Sequence, residues 1–294
     1  MKRRDMLLTT GAAFLGLSAG PLRSVVAEPK TPKVLYFTRC AGYEHSAVKR
    51  DGKNLSISER VLSELGKDYG VEVVCTKDGR VFDEDLGQYS AIAFYTSGDL
   101  TKPCPRKTPP MTARGKQRLL DAVADGTGFV GIHSASDTFH SKVSGNKETI
   151  DPYIAMLGGE FITHGPQQVA TMRVTSPDFP GIADQGSPAS FETNEEWYAL
   201  KNFAKDMHVI LVQETEGMKG VCYQRPPFPA TWARMHGRGR VLYTSLGHRH
   251  DVWENENVQA GFVGAFSWAL GQSDAEIPAN LDKVAPKAAE LTRG

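Results

Sequence analysis

The chain has 294 residues, 40% of them hydrophobic, which is enough to bury one large α/β core of about 250 residues. Lys plus Arg and Asp plus Glu both number 34, so nothing in the overall balance points to nucleic acid or a strongly charged membrane surface. The four cysteines (Cys40, Cys75, Cys104, Cys222) lack any Cys-x-x-Cys spacing, which excludes a zinc knuckle and a dense disulfide framework.

Residues 1–27 are expected to be a twin-arginine signal. Met1-Lys2-Arg3-Arg4 precedes a small and apolar run to about Gly20, and Val25-Val26-Ala27 offers a small-residue cleavage site. The mature chain would be a periplasmic or secreted protein with no stable membrane anchor. Such substrates cross the membrane folded, which hints that a cofactor, if any, is loaded in the cytoplasm.

Val34-Leu35-Tyr36-Phe37-Thr38 reads as the first strand and opens into Arg39-Cys40-Ala41-Gly42-Tyr43-Glu44-His45-Ser46. Leu55 to Tyr69 has helical spacing, with Ser56 or Ser58 as cap and Gly70 as stop. Val71–Cys75 and Ala91–Thr96 are the next strands, joined by a short helical turn at 82–86, and a Pro-rich loop (Pro103, Pro105, Pro109, Pro110) follows. A helix over 112–124 leads into Gly128-Phe129-Val130-Gly131-Ile132, a buried strand that stops abruptly at His133-Ser134-Ala135-Ser136-Asp137. Continuous apolar strands alternating with helices predict a mostly parallel sheet covered by helices on both faces. Ligands of such sheets sit at the carboxyl ends of the strands, so Arg39, His45, His133 and Asp137 become site candidates.

Further along, Pro152 to Gly159 reads as a short helix, and Phe161–Pro166 as a turn carrying His164. Gln168–Val174 alternates like a half-buried strand. Phe191 to Tyr198 sets carboxylates against aromatics. Val209–Val212 and Pro229–Arg234 are strands, and Val241–Leu246 is the last strong one, ending in Gly247-His248-Arg249-His250-Asp251. A helix over 257–270 closes a domain of residues 33–271. Residues 272–294 are expected to be a C-terminal extension.

With these pieces in order, the chain resembles the ThuA-like family, named for a trehalose-utilisation protein, over roughly Lys33 to Leu270. The resemblance rests on Gly42-Tyr43-Glu44-His45-Ser46, on Gly131-Ile132-His133-Ser134-Ala135 with Asp137, and on Leu157-Gly158-Gly159-Glu160-Phe161 with His164. Asn194-Glu195-Glu196-Trp197-Tyr198 and Gly239-Arg240-Val241-Leu242-Tyr243-Thr244-Ser245-Leu246-Gly247-His248 complete it. It implies the class I glutamine amidotransferase-like variant of the flavodoxin-like fold. Where true amidotransferases carry a nucleophilic cysteine, this chain has His133, so glutamine hydrolysis is not expected. Ser134 lacks the Gly-x-Ser-x-Gly setting of a hydrolase nucleophile.

The expected chemistry is acid–base work on a sugar or keto-sugar, by a hydrolase or isomerase, with His133, Glu196, His45 and His164 moving protons. Arg39, Asp137 and His248 would orient hydroxyls, and Tyr43, Trp197, Tyr198 and Trp253 would offer aromatic faces to a sugar ring. The same imidazoles with a carboxylate also suit a divalent ion such as zinc, with His45, His133, His164 and His248 as the candidate set. A non-catalytic sugar-binding or accessory module and a metal-dependent hydrolase are the alternatives. The expected partner is a small carbohydrate, with a homo-oligomer left open and no nucleic acid. His208 and His236 are expected to be structural or exposed.

Overall fold

A computed structural model describes residues 31–291; the expected signal at 1–27 lies outside them. The chain runs β1 (Lys33–Phe37), α1 (Ile57–Asp68), β2 (Glu72–Thr76), β3 (Ala91–Phe94), α2 (Ala113–Ala124) and β4 (Gly128–Ile132). A small hairpin, β5 (Lys142–Ser144) and β6 (Lys147–Thr149), precedes α3 (Pro152–Leu157), β7 (Glu160–His164), β8 (Gln168–Val174), β9 (Ser190–Glu195) and β10 (Tyr198–Lys201). Then come β11 (His208–Gln213), β12 (Phe228–His236), β13 (Gly239–Thr244), α4 (His250–Glu254), α5 (Glu256–Ala269) and α6 (Leu281–Val284).

Nine strands form one sheet in the order β2-β1-β3-β4-β13-β12-β11-β8-β9. From β2 to β13 every pairing is parallel, and from β13 to β9 every pairing is antiparallel. The expectation of a mostly parallel sheet is thus corrected to a mixed one. The cause is visible at β12 and β13, which are joined through Gly237-Arg238, a connection too short for anything but an antiparallel hairpin.

Apolar residues on both sides of the parallel strands explain why helices cover both faces. Leu35, Phe37, Ile92, Phe94, Phe129 and Tyr243 pack in one core with Leu119 and Val123 of α2. Their alternates Val34, Tyr36, Ala93, Val130, Ile132 and Leu242 pack in a second core with Val61 of α1 and Phe262 and Trp268 of α5. The helix starts follow local chemistry. Ser56 and Glu59 form a reciprocal capping box on α1, Thr112 caps α2, and Asp151 with Pro152 starts α3.

Two further expectations change. The turn expected at Phe161–Pro166 is largely strand, because β7 pairs antiparallel with β10 in a separate two-stranded ribbon that sets His164 opposite Tyr198. The stretch at 272–294 is expected as an extension, yet its described part packs on the domain. Leu281, Ala285 and Ala288, spaced four and three apart, enter the first core. Asn280 bonds the backbone of Val209 in both directions, and Arg225 donates to the Ala288 carbonyl. Among the described residues, no helix is long and apolar enough to cross a membrane.

Candidate functional site

The strands β1, β3, β4 and β13 are parallel, so their carboxyl ends share one edge, and three histidines collect there. His133 follows β4 directly and has φ of +46°, a left-handed backbone that a non-glycine residue adopts only when its surroundings hold it. What holds it is a set of buried hydroxyls. Tyr243 donates to the His133 carbonyl (2.9 Å) and shares a hydrogen bond with Ser136 (2.9 Å), while Tyr153 donates to the Ala135 carbonyl (3.0 Å). The imidazole, itself fully buried, donates from Nδ1 to the Ser245 carbonyl at 2.8 Å. A carbonyl only accepts, so Nδ1 carries the proton and Nε2 is left bare.

His248 is placed by a lock on the preceding glycine. Gly247 sits at φ +124°, and its carbonyl accepts from Tyr95 Oη (3.0 Å) and Trp253 Nε1 (2.7 Å). The buried Glu195 carboxylate accepts from the Gly247 and His248 amides (2.9 and 3.1 Å) and from the Glu196 amide (2.9 Å). Burial pushes this carboxyl up to about 7, although the three amides favour its charged form. His45 arrives on the loop after β1 and is buried.

The connection from the sheet to the ribbon supplies the carboxylate. Glu196 lies between β9 and β10, and its Oε2 stands 3.5 Å from His45 Nε2, 3.5 Å from His133 Nε2 and 3.0 Å from His248 Nδ1. Its Oε1 stands 3.5 Å from His164 Nδ1. The His164 Nδ1 also donates to the Gly165 carbonyl (2.9 Å), so its Nε2 is the free nitrogen, on a half-exposed ring. Tyr198 Oη lies 3.2 Å from His45 Nε2. Burial lowers the proton affinity of His45 and brings His133 down to about 3. Burial would raise the Glu196 carboxyl, while a proton donated by an imidazole beside it would lower it. One ligand atom from each of His45, His133, Glu196 and His248 falls within 4.8 Å of all the others, a set fit for a metal ion.

The family model described as "Trehalose utilisation" (ThuA) matches residues 33–269. The chain belongs to the ThuA family. Solved structures agree on the fold. A ThuA-like protein from Bacteroides uniformis superposes with a TM-score of 0.61 at 20% identity, covering 88% of this chain and 99% of that one. A ThuA-like protein from Parabacteroides merdae gives 0.57 at 16% identity, covering 90% and 97%. A search of curated protein sequences gives no match.

In this ThuA-family chain the structure brings His45, His133, His164, His248 and Glu196 together and sends several other candidates elsewhere. Arg39 was expected to orient substrate, but it is fully buried and its guanidinium donates to the carbonyls of Leu100 (3.0 Å), Lys102 (2.6 Å) and Thr108 (3.4 Å), pinning the Pro-rich loop. Trp197 and Trp253 offer no face to a ligand. Trp197 is buried and donates to the Gln168 carbonyl, and Trp253 is stacked between Tyr95 and Phe262. Tyr198 is buried with its ring 4.2 Å from that of His133, so it contributes a hydroxyl rather than a platform. Of these aromatics Tyr43 alone is open, at 69% exposure, with its ring 4.9 Å from that of His45. Two cavities, of about 290 and 520 Å³, open at the helix and sheet seams and include none of the cluster residues.

Asp137 reaches His140 (2.7 Å) rather than the cluster. His140 also contacts Glu160 (3.2 Å), and hydrogen bonding to Asp137 and then Glu160 raises it to about 9. For Glu160, burial alone would raise the carboxyl, but bonds from His140, Ser141 and Asn202 hold it at about 2. The folded His140 lies above its ordinary 6.5, so its contribution is complete below that pH and is lost as pH rises through about 9. The folded Glu160 lies below its ordinary 4.5, so its contribution is complete above that pH and is lost as pH falls through about 2. Urea unfolding from pH 5 to 10 should therefore show an alkaline decline of about 0.5–1 kcal/mol, small because His140 is nearly half exposed. His140→Ala should remove that decline, and an unchanged pH profile in the variant would discount the contact.

Glu195, Ser245 and Tyr243 were not singled out from the sequence. Glu195 had a signal, since it adjoins Glu196 on a strand end where successive side chains face opposite ways. The other two act through a backbone carbonyl and a buried hydroxyl, which leave no spacing to read. Cys40, on the loop that leads to His45, is not poised as a nucleophile: it is buried and its thiol is pushed up to about 11 by that burial. Ser134 is buried, and its hydroxyl has no hydrogen-bond partner and so no base to activate it.

Proposed function

We propose that this chain is an exported enzyme of carbohydrate breakdown that acts on a sugar or keto-sugar by proton transfer, without a cysteine nucleophile. The observation that carries the reading is one carboxylate, Glu196, reached by three imidazoles at one edge of the sheet and by a fourth, His164, from the ribbon. Membership of a family named for trehalose utilisation supports the carbohydrate class. The parallel strands, taken in chain order, run 2-1-3-4-5, the order of flavodoxin-like sheets, and this supports the amidotransferase-like variant of that fold.

In this reading the two oxygens of Glu196 have separate tasks. Oε1 orients His164, whose Nδ1–H is also held by the Gly165 carbonyl, so the bare Nε2 of this half-exposed ring takes a proton from a hydroxyl or from the carbon beside a carbonyl. His133 is fully buried, and that burial lowers its proton affinity, so it is not the group that takes this proton. It instead forms, with His45, His248 and Oε2, the polar floor against which the reacting oxygen rests. The exposed ring of Tyr43 at the rim suits the apolar face of a sugar. Incubation of the purified protein with a panel of disaccharides, their keto derivatives and keto-monosaccharides in D₂O, followed by proton NMR, should show cleavage, isomerisation or loss of a carbon-bound proton signal. A panel returned unchanged, with no spectral sign of binding, would end the carbohydrate assignment.

A further inference from the structure

We propose that His45, His133, His248 and the Oε2 of Glu196 are the ligands of one divalent transition-metal ion of the zinc class. The argument begins with hydrogen atoms. Three ring nitrogens face a single carboxylate oxygen at 3.5, 3.5 and 3.0 Å, yet one such oxygen has only two lone pairs to accept with. At His133 no proton is available for that oxygen, because the ring proton is already donated from Nδ1 to the Ser245 carbonyl. A bare nitrogen and a carboxylate oxygen therefore face each other, and two lone pairs so placed repel unless a cation or a shared proton lies between them. His133 Nε2 and His248 Nδ1 are both buried and both lack a hydrogen-bond partner, an arrangement that is costly in the absence of a ligand.

The spacing fits an ion. A tetrahedral metal with bonds of about 2.0–2.1 Å sets its ligand atoms about 3.3 Å apart. The three measured nitrogen–oxygen separations bracket that edge, and all four atoms lie within 4.8 Å of one another. The rings are arranged to match. Those of His45, His133 and His248 stand at 84°, 85° and 73° to one another, with centroids 4.8–5.4 Å apart, so each lone pair approaches the centre from its own direction. Nitrogen ligands with one carboxylate select zinc or a neighbouring transition ion over magnesium or calcium. The His133–Ser245 bond is the outer partner that fixes a metal-binding imidazole. His248 has Gln167 Nε2 at 3.0 Å from its Nε2, and with metal on Nδ1 the Gln167 amide turns so that its oxygen accepts, releasing its bond to Arg249. The function of the ion, polarising the sugar's carbonyl or hydroxyl oxygen, rests on the reading above; the ligand set rests on geometry alone.

The test uses the full chain. After chelator treatment, cobalt(II) titration should give about one equivalent bound, with visible absorption of tetrahedral intensity, and zinc should displace it. His133→Ala, His248→Ala and Glu196→Gln should weaken binding at least as much as the 10–100-fold typical of losing an outer-shell partner. His164→Ala should retain the metal. Cobalt titration of the unaltered protein needs no variant to fold. Absence of any saturable cobalt signal, with less than about a tenth of an equivalent of zinc on reconstitution, would overturn the inference. Metal bound without carbohydrate turnover would sink the carbohydrate reading alone, and carbohydrate turnover by a protein that shows no saturable metal binding would sink the metal alone.

Discussion

Glu196→Gln should reduce turnover on a cognate sugar or keto-sugar by about 10²–10⁴-fold while leaving the fold intact. The substitution keeps the side chain's size but removes the negative charge that Oε1 presents to His164 and Oε2 presents to His45, His133 and His248. His164→Ala should cut turnover over a similar range, because it deletes the solvent-facing proton carrier, and it should do so with far less disturbance of the buried groups. The measurement is kcat with a thermal melt on the same preparations. Variants that turn over normally while melting like the parent protein would remove Glu196 and His164 from the chemistry.

A second large effect is expected at the neighbouring carboxylate, and on stability rather than rate. Glu195→Ala deletes the acceptor for three backbone amides, those of Glu196, Gly247 and His248, in a place that water does not reach. At about 1–3 kcal/mol for each unsatisfied buried donor, the loss should be about 3 kcal/mol or more. Urea unfolding reads it as a lower midpoint with an unchanged slope. Glu195→Gln keeps one acceptor oxygen and should lose less. A Glu195→Ala protein as stable as the parent would mean that the lock on Gly247 contributes little.

Much of this is legible in the sequence. His133 and His248 each follow a glycine-marked apolar strand, and a strand that stops at polar residues delivers them to the sheet edge. His45, His164 and Glu196 lie in short motifs whose order matches a family. The strands from Lys33 to Ile132 were readable because both of their faces are apolar. The antiparallel half was harder. Its direction is set by tight connections such as Gly237-Arg238, and partner choice between β7 and β10 leaves almost no trace in strands of four or five residues. Arg39 misled because a charge at a strand end suggests a ligand, whereas here it serves backbone carbonyls 61 to 69 residues away. Trp197 misled for a related reason, since the alternation that aims Glu196 into the cluster turns the next side chain into the core. The tail after Leu270 read as an appendage because its anchors are one leucine and two alanines.

The ribbon of β7 and β10 has its own hydrogen-bonding ladder, separate from the nine-stranded sheet that presents His45, His133 and His248. Glu196 sits at the junction of the two, between the last residue of β9 in the sheet and the first of β10 in the ribbon, and His164 stands on the ribbon itself. A change in ribbon length or pairing can shift or withdraw His164 without unmaking the scaffold of His45, His133 and His248, so divergence in reaction type within such a framework has a route through those nine residues.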